Sequence, residues 1–411
     1  PQISKVRFFT GDLLRDDPYY SPNLSLESPY KLAFAPRRRE LWRKTVGTTL
    51  KILMLSSTYA RGHGVAVVID LMVTTLRKRG HVVFLAGTKS DRDFSYGGTE
   101  VIDVQDPRSA ATMATDLQID VIIAHTPPFF GVARWTGAYP PVIAYDYGEP
   151  PPNFFPDEEA RRESLADKNA SLRMCTKVFA ISQAIADESL IPPDKVIPLG
   201  NSHLGVWTSE LLERREAIRR KHGWTSHYVI LNVCRFHVGE RKYKGVDQYA
   251  DMLAALKSVD PDFAARCIFV LCGKAHDEDI AAVRAQGITA IANISDEEML
   301  DLYVAADLYV NFSRWEGYNL GIGQALAMGL KVIASDIPAH RAFGVRVVGN
   351  AIDAAFALLD LTRESTERVP LLWSWDEPLH LFAEEIESLA FTSTNPQIGW
   401  SHDKSEDQGV A

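Results

Sequence analysis

Leu308-Tyr-Val-Asn-Phe-Ser-Arg-Trp-Glu-Gly-Tyr-Asn-Leu-Gly-Ile-Gly-Gln-Ala-Leu-Ala-Met-Gly-Leu-Lys-Val-Ile-Ala-Ser-Asp-Ile-Pro-Ala-His340 decides the fold. Leu308–Phe312 is a short apolar run that stops at Ser313-Arg-Trp-Glu316. Gln324–Met328 is helix-forming, Gly329 suits a helix C-terminus, and Lys331–Ala334 is the next apolar run. Strand, polar loop, helix, glycine and strand make one βαβ unit, and hence a parallel sheet. Ligands of open parallel sheets bind at the carboxyl ends of the strands, where helix N-termini point their free N–H groups. Glu316 therefore lies at a ligand edge. A carboxylate there also serves simply as a helix-start charge, so this stretch alone leaves both readings standing.

The same alternation runs outward in both directions. Lys51–Ser56 is a buried strand, followed by a loop with Arg61-Gly-His-Gly64 and a helix over Val65–Arg79. That helix carries Val68, Leu71, Met72, Thr75 and Leu76 on one side. Gly80–Ala86, Asp120–Ala124, Val142–Tyr145 and Lys177–Ile181 read as further strands, with helices near Ala110–Leu117 and Glu158–Cys175. The pattern restarts after residue 205. Leu211–His222 and Asp247–Lys257 are helical, while Tyr228–Cys234 and Cys267–Cys272 are strands. Strands alternating with helices mean doubly wound α/β domains, and a boundary near 204–226 divides the chain into two.

With 411 residues, two domains of ordinary size are expected, each burying its own core. A formal charge of −9 argues against a nucleic-acid binder, which would carry a basic surplus. There is neither a run of 18 apolar residues nor a charged-then-apolar leader, so a cytoplasmic protein is expected. The four cysteines show no metal-ligand spacing and fit a reducing compartment. Residues 1–50 read as an irregular extension. Between Lys31 and Lys51, seven basic residues face one acidic one. Such a cluster reads first as a solvated basic face or flexible arm, and it also suits peripheral contact with an anionic membrane, at roughly 1 kcal/mol per basic residue.

Glu316-Gly-Tyr-Asn-Leu-Gly-Ile-Gly-Gln324 followed by Ala-Leu-Ala-Met-Gly329 resembles the Glu-x7-Glu signature of retaining GT-B glycosyltransferases of the large family 4. The flanks Ser295–Asp307 and Val332–Asp336 resemble it too. One position departs: the second acidic residue is Gln324. The resemblance implies two Rossmann-like, doubly wound parallel-sheet lobes facing each other across a cleft. The first is an acceptor lobe at 51–205 and the second a nucleotide-sugar lobe at 226–370. A C-terminal helix over about 377–390 returns to the first lobe, with Leu379, Phe382, Ile386 and Leu389 as its apolar stripe. A polar tail follows at 392–411.

It also implies residue roles. Arg235, after Val233-Cys234, and Lys244-Gly245 resemble the family's pair that holds the donor diphosphate. Arginine suits bidentate phosphate contact and lysine a point charge. The gap between them is long and contains Arg241 and Lys242, which leaves the choice of lysine open. Gly62-His63-Gly64 resembles the Gly-rich loop after the first strand, although a Gly-x-Gly is commonly just a turn. His125 matches a histidine near the donor sugar and acceptor, although a histidine there also commonly serves to bond a loop. Glu316 would contact the donor hexose, Asn319 and Leu320 would present backbone N–H groups to phosphate, and Gln324 would meet the ribose. An amide still accepts from a hydroxyl but gives up the charge. Asn201 and His203 read as loop residues.

Asp91-Arg-Asp93, Asp260-Pro-Asp262 and Asp277-Glu-Asp279 are the only Asp-x-Asp candidates, and all read as solvated loop or helix-start charges. No metal and no cofactor is expected. The implied function is a retaining, metal-independent hexosyltransferase acting on a glycan, lipid-linked or small-molecule acceptor. A sugar-nucleotide epimerase, a phosphorylase, or a non-catalytic partner that binds a sugar nucleotide would share the lobes.

Overall fold

The computed structural model describes residues 49–60, 62–88, 98–365 and 367–394. Most of the basic 31–51 segment, Asp91-Arg-Asp93 and the tail beyond 394 lie outside the described residues.

The first lobe contains β1 (Lys51–Leu55), α1 (Gly64–Lys78), β2 (Val82–Gly87), β3 (Val101–Asp103), α2 (Pro107–Asp116), β4 (Val121–Ala124), β5 (Val142–Asp146), α3 (Glu158–Leu172), β6 (Lys177–Ala180), α4 (Gln183–Glu188) and β7 (Lys195–Val196). The second contains α5 (Leu211–His222), β8 (Tyr228–Val233), α6 (Asp247–Val259), β9 (Cys267–Gly273), α7 (Asp277–Arg284), β10 (Thr289–Ala292), α8 (Asp296–Ala305), β11 (Leu308–Asn311), α9 (Leu320–Ala327), β12 (Lys331–Ser335), β13 (Arg346–Val348) and α10 (Ala351–Leu361).

The strand orders are β3-β2-β1-β4-β5-β6-β7 and β10-β9-β8-β11-β12-β13, and every pairing is parallel. Strands covered by helices on both faces must be apolar at successive positions. Ile52–Leu55 and Val121–Ala124 are accordingly all buried. On α1 the buried residues are Ala66, Val68, Ile69, Met72, Val73 and Leu76. Leu71 and Thr75, which the spacing puts on that side, are only half-buried. The sheet is met by a face turned toward Ile69 and Val73.

A final helix, α11 (Asp376–Thr394), comes back from the second lobe. Its Leu379, Phe382, Ala383 and Ile386 join the first-lobe core. Phe382 sits edge-on to Tyr145, ring centroids 5.4 Å apart. Arg79 clamps the helix by two 2.8 Å bonds to Glu387. No described helix is long and apolar enough to cross a membrane.

In each sheet the order reverses once, between β1 and β4 and between β8 and β11. Ligands of doubly wound sheets bind outside the strand ends at such a switch point. The two switch points face each other across one cavity of about 790 Å³.

Candidate functional site

Four chain segments reach the cavity from the switch points: the loops after β1, β4, β8 and β11. They carry Gly62 and Gly64, His125, Arg235 and Lys244, and Glu316 respectively. Asn319 and Leu320 line it as well, at the start of α9.

Lys244 and Glu316 form the centre. Lys244 Nζ donates to both carboxylate oxygens of Glu316 at 2.8 Å, and the side chains are only 11% and 10% exposed. Ser313 Oγ adds a 2.7 Å bond to Glu316 Oε1. Gly245 explains why Lys244 takes this place. Its φ is +62°, and a Cβ there would come within 1.9 Å of the Phe312 carbonyl oxygen. A glycine thus lets the chain pass directly under the end of β11. The basic residues of the long gap separate cleanly. Lys242 Nζ reaches across to the Asn153 carbonyl at 2.6 Å, and Arg241 lies 3.8 Å from Asp279.

Arg235 bridges the lobes. Its Nη1 lies 2.6 Å from His63 Nδ1, which must accept because a guanidinium only donates. Its Nε is 2.9 Å from Glu240. His63 is the N-cap of α1, and Gly64 is its first residue. Leu320 Cδ1 lies 3.2 Å from where a Cβ on Gly64 would stand. The N-termini of α1 and α9 therefore meet across the cleft, and two such termini favour an anion between them. Asn319 caps α9 by accepting from the Ile322 N–H at 3.1 Å. Its amide nitrogen donates to His340 Nε2 at 3.0 Å, while His340 Nδ1 donates to the Ser335 carbonyl at 2.9 Å. Burial holds the His340 pKa below the usual value, so the ring stays a neutral brace.

His125 is 1% exposed, with Nδ1 3.1 Å from the Tyr147 hydroxyl. Its Nε2 is buried and has no hydrogen-bond partner among the described residues. Burial lowers the pKa to about 3. The neutral imidazole suits a hydrogen bond to a ligand hydroxyl, and it is not a proton donor near pH 7. The His125 ring resonances should accordingly show no titration between pH 5 and 8 by NMR; a midpoint near 6.5 would contradict this environment.

Gln324 stands apart from the other expected site residues. It is fully buried and is not among the residues lining the cavity. Its Oε1 accepts from the Leu204 N–H at 2.9 Å, and its Nε2 donates to the Gly205 carbonyl at 2.7 Å. Both ends of its amide are thus taken up by the linker between the lobes. One amide meets a donor and an acceptor at once, which a carboxylate does not. The amide therefore suits this position better than a carboxylate would.

The linker also changes the reading of its neighbours. Asn201 ties it to Gly323 and Leu371 through two donated bonds of 3.2 and 2.8 Å. His203 lines the cavity, with a buried and unpartnered Nδ1 among the described residues and a pKa lowered by burial to about 4. Nothing in its local sequence separates it from a loop histidine. The described Asp-x-Asp segments cap helices: Asp260 accepts from the Phe263 N–H at 2.9 Å, and Asp279 from the His276 N–H at 3.3 Å.

Two parallel sheets with opposed switch points and a cavity of fixed cations define the GT-B architecture. Solved structures agree on the fold. Sucrose-phosphate synthase from Thermosynechococcus elongatus is 15% identical at a TM-score of 0.63, covering 85% of this chain and 98% of that one. Anabaena HepE in complex with UDP and glucose is 18% identical at 0.61, with the same coverage. Residues 227–361 match the family described as glycosyl transferases group 1, so the second lobe carries a domain of that family. A lipopolysaccharide core biosynthesis mannosyltransferase of Rhizobium meliloti (strain 1021) is 28% identical over 164 residues, which are 38% of this chain and 44% of the relative. The match thus spans less than half of that relative's length.

Proposed function

We propose that this chain is a retaining, metal-independent hexosyltransferase that moves a hexose from a nucleotide-diphosphate sugar to an acceptor hydroxyl. The observation that carries the reading is the buried Lys244–Glu316 pair at the second switch point, beside Arg235. A departing diphosphate needs fixed positive charge placed where negative charge develops. Arg235, Lys244 and the converging N-termini of α1 and α9 supply it. Glu316 lies where it orients the donor hexose, and His125 offers Nε2 to a sugar hydroxyl. The bound UDP and glucose of Anabaena HepE support a nucleotide-sugar donor.

The acceptor enters from the first lobe, past Tyr147, Glu149, Phe155 and Arg161. The first-lobe carboxylates that line the cavity are engaged: Asp146 with Lys168 at 2.7 Å and Glu149 with Arg161 at 2.5 Å. This favours front-side attack, with the leaving phosphate taking the acceptor proton, over a covalent intermediate. A glycan, a lipid-linked sugar and a small molecule all offer the required hydroxyl.

The test is a thermal-shift screen against UDP-, GDP- and ADP-hexoses, followed by transfer assays with the best donor. A donor at a hundred times its Kd stabilises by about 2.7 kcal/mol. Transfer should persist in EDTA and leave the anomeric configuration unchanged in the product's NMR spectrum. Loss of activity in EDTA, or inversion, would remove that part of the mechanism. Turnover without an acceptor would favour the epimerase.

A further inference from the structure

We propose that Lys274 binds the phosphate of the donor nearest the nucleoside, as a third cation beside Arg235 and Lys244; this rests on the nucleotide-sugar reading above. Both expected cations are already matched, Lys244 by Glu316 at 2.8 Å and Arg235 by Glu240 at 2.9 Å. Arg161, which also lines the cavity, is held by Glu149. A diphosphate brings about two negative charges, whereas each of these cations already shares its charge with a carboxylate.

Lys274 is different. It lines the cavity and is half-buried. Among the described residues its side chain enters no ion pair and no hydrogen bond. Its position is built by the backbone. Gly273 ends β9, and a Cβ there would lie 1.9 Å from the Cys234 carbonyl oxygen and 3.3 Å from the Arg235 nitrogen. The next residue is then pinned against the end of β8, where the Phe236 N–H donates to the Lys274 carbonyl at 3.1 Å.

From the other lobe, the loop after β1 closes over the same residue. Lys274 Cβ is 3.7 Å from where a Cβ on Gly62 would stand. Lys274 thus lies between the Gly62–Gly64 loop and the Arg235 strand end.

Strand order assigns the phosphate. Across the carboxyl edge the residues run Glu316 after β11, Arg235 after β8, Lys274 after β9 and Asn293 after β10. Neighbouring strands are about 4.8 Å apart, so the edge is a ruler laid along the donor. With the hexose at Glu316 and the diphosphate starting at Arg235, Lys274 stands one strand further toward the nucleoside. A phosphorylated acceptor would bring the same chemistry from the first-lobe side, and the test separates the two.

Titration calorimetry of the full chain with UDP, GDP and ADP identifies the nucleotide that binds. Lys274→Ala, Lys274→Arg and Arg235→Ala are then compared with that nucleotide, its nucleoside and glucose 6-phosphate. Losing a bond to a charged group predicts roughly ten- to a hundredfold weaker nucleotide binding in Lys274→Ala. Lys274→Arg should restore most of it, nucleoside binding should not move, and the melting temperature should hold because no partner is stranded. Unchanged nucleotide affinity in Lys274→Ala while Arg235→Ala loses it would overturn this role and leave the donor site intact. Loss confined to glucose 6-phosphate would overturn it in favour of the acceptor. Failure of all three nucleotides to bind the unaltered chain would overturn the nucleotide-sugar reading and this role with it.

Discussion

Glu316→Gln is expected to lower kcat by about 10²–10³ while moving the donor KM far less, because the proposed role puts the carboxylate on the reacting sugar rather than on the nucleotide. The substitution also has a structural consequence that must be told apart from the chemical one. Glu316 and Lys244 are a nearly buried pair with two 2.8 Å bonds. Removing one charge strands the other, at about 3–5 kcal/mol for a fully buried pair and toward the lower end at this exposure. The double variant Lys244→Met with Glu316→Gln removes both charges and should recover most of that stability without recovering turnover. Melting temperature and kcat, measured on the two single variants and the double, therefore separate the roles. Near-native kcat in Glu316→Gln would remove Glu316 from the reaction.

Gln324→Glu tests the departure from the family signature. If position 324 met the ribose, restoring a carboxylate would tighten donor binding. The geometry gives the opposite expectation. A glutamate at 324 still accepts from the Leu204 N–H, but it faces the Gly205 carbonyl with no proton to donate. An unsatisfied buried group costs about 1–3 kcal/mol, and more when charged. The buried carboxyl would also carry a raised pKa. A raised folded-state pKa means that stability is retained below the unfolded value near 4.3 and lost as pH climbs toward the folded one. The variant should thus melt lower than the parent at pH 7 and recover part of the gap at pH 5. Tighter donor binding at unchanged stability would show that the amide is free to turn toward the cleft.

The sequence makes the parallel sheets plain, because strands buried on both faces are apolar at successive positions and each helix between them carries its own stripe. Glu316, Arg235 and His125 were legible for a related reason. Each follows directly on such a strand, and the carboxyl ends are where a doubly wound fold exposes its loops. Lys244 was harder, since three basic residues share its loop. What places it beside Glu316 is Gly245, where a Cβ would come within 1.9 Å of the Phe312 carbonyl oxygen just past β11, a packing between segments nearly 70 residues apart that local pattern does not carry.

For Gln324 the motif fixes its place on α9 but not what packs behind it. The Leu204–Gly205 backbone comes from the linker, 120 residues earlier in the case of Leu204. The places of His203 and Lys274 on the cavity wall are illegible on the same ground. A lone histidine in a linker and a lysine after a strand look like ordinary surface residues until the second lobe is folded against the first.

The most direct test is a crystal structure with the nucleotide-diphosphate hexose that gives the largest thermal shift. The expected result is phosphate oxygens within hydrogen-bond distance of the Arg235 guanidinium and the Lys244 ammonium, with the hexose against Glu316. A donor seated elsewhere, its phosphates out of reach of both side chains, would contradict a transferase that steadies its leaving group with fixed cations at the β8–β11 switch point.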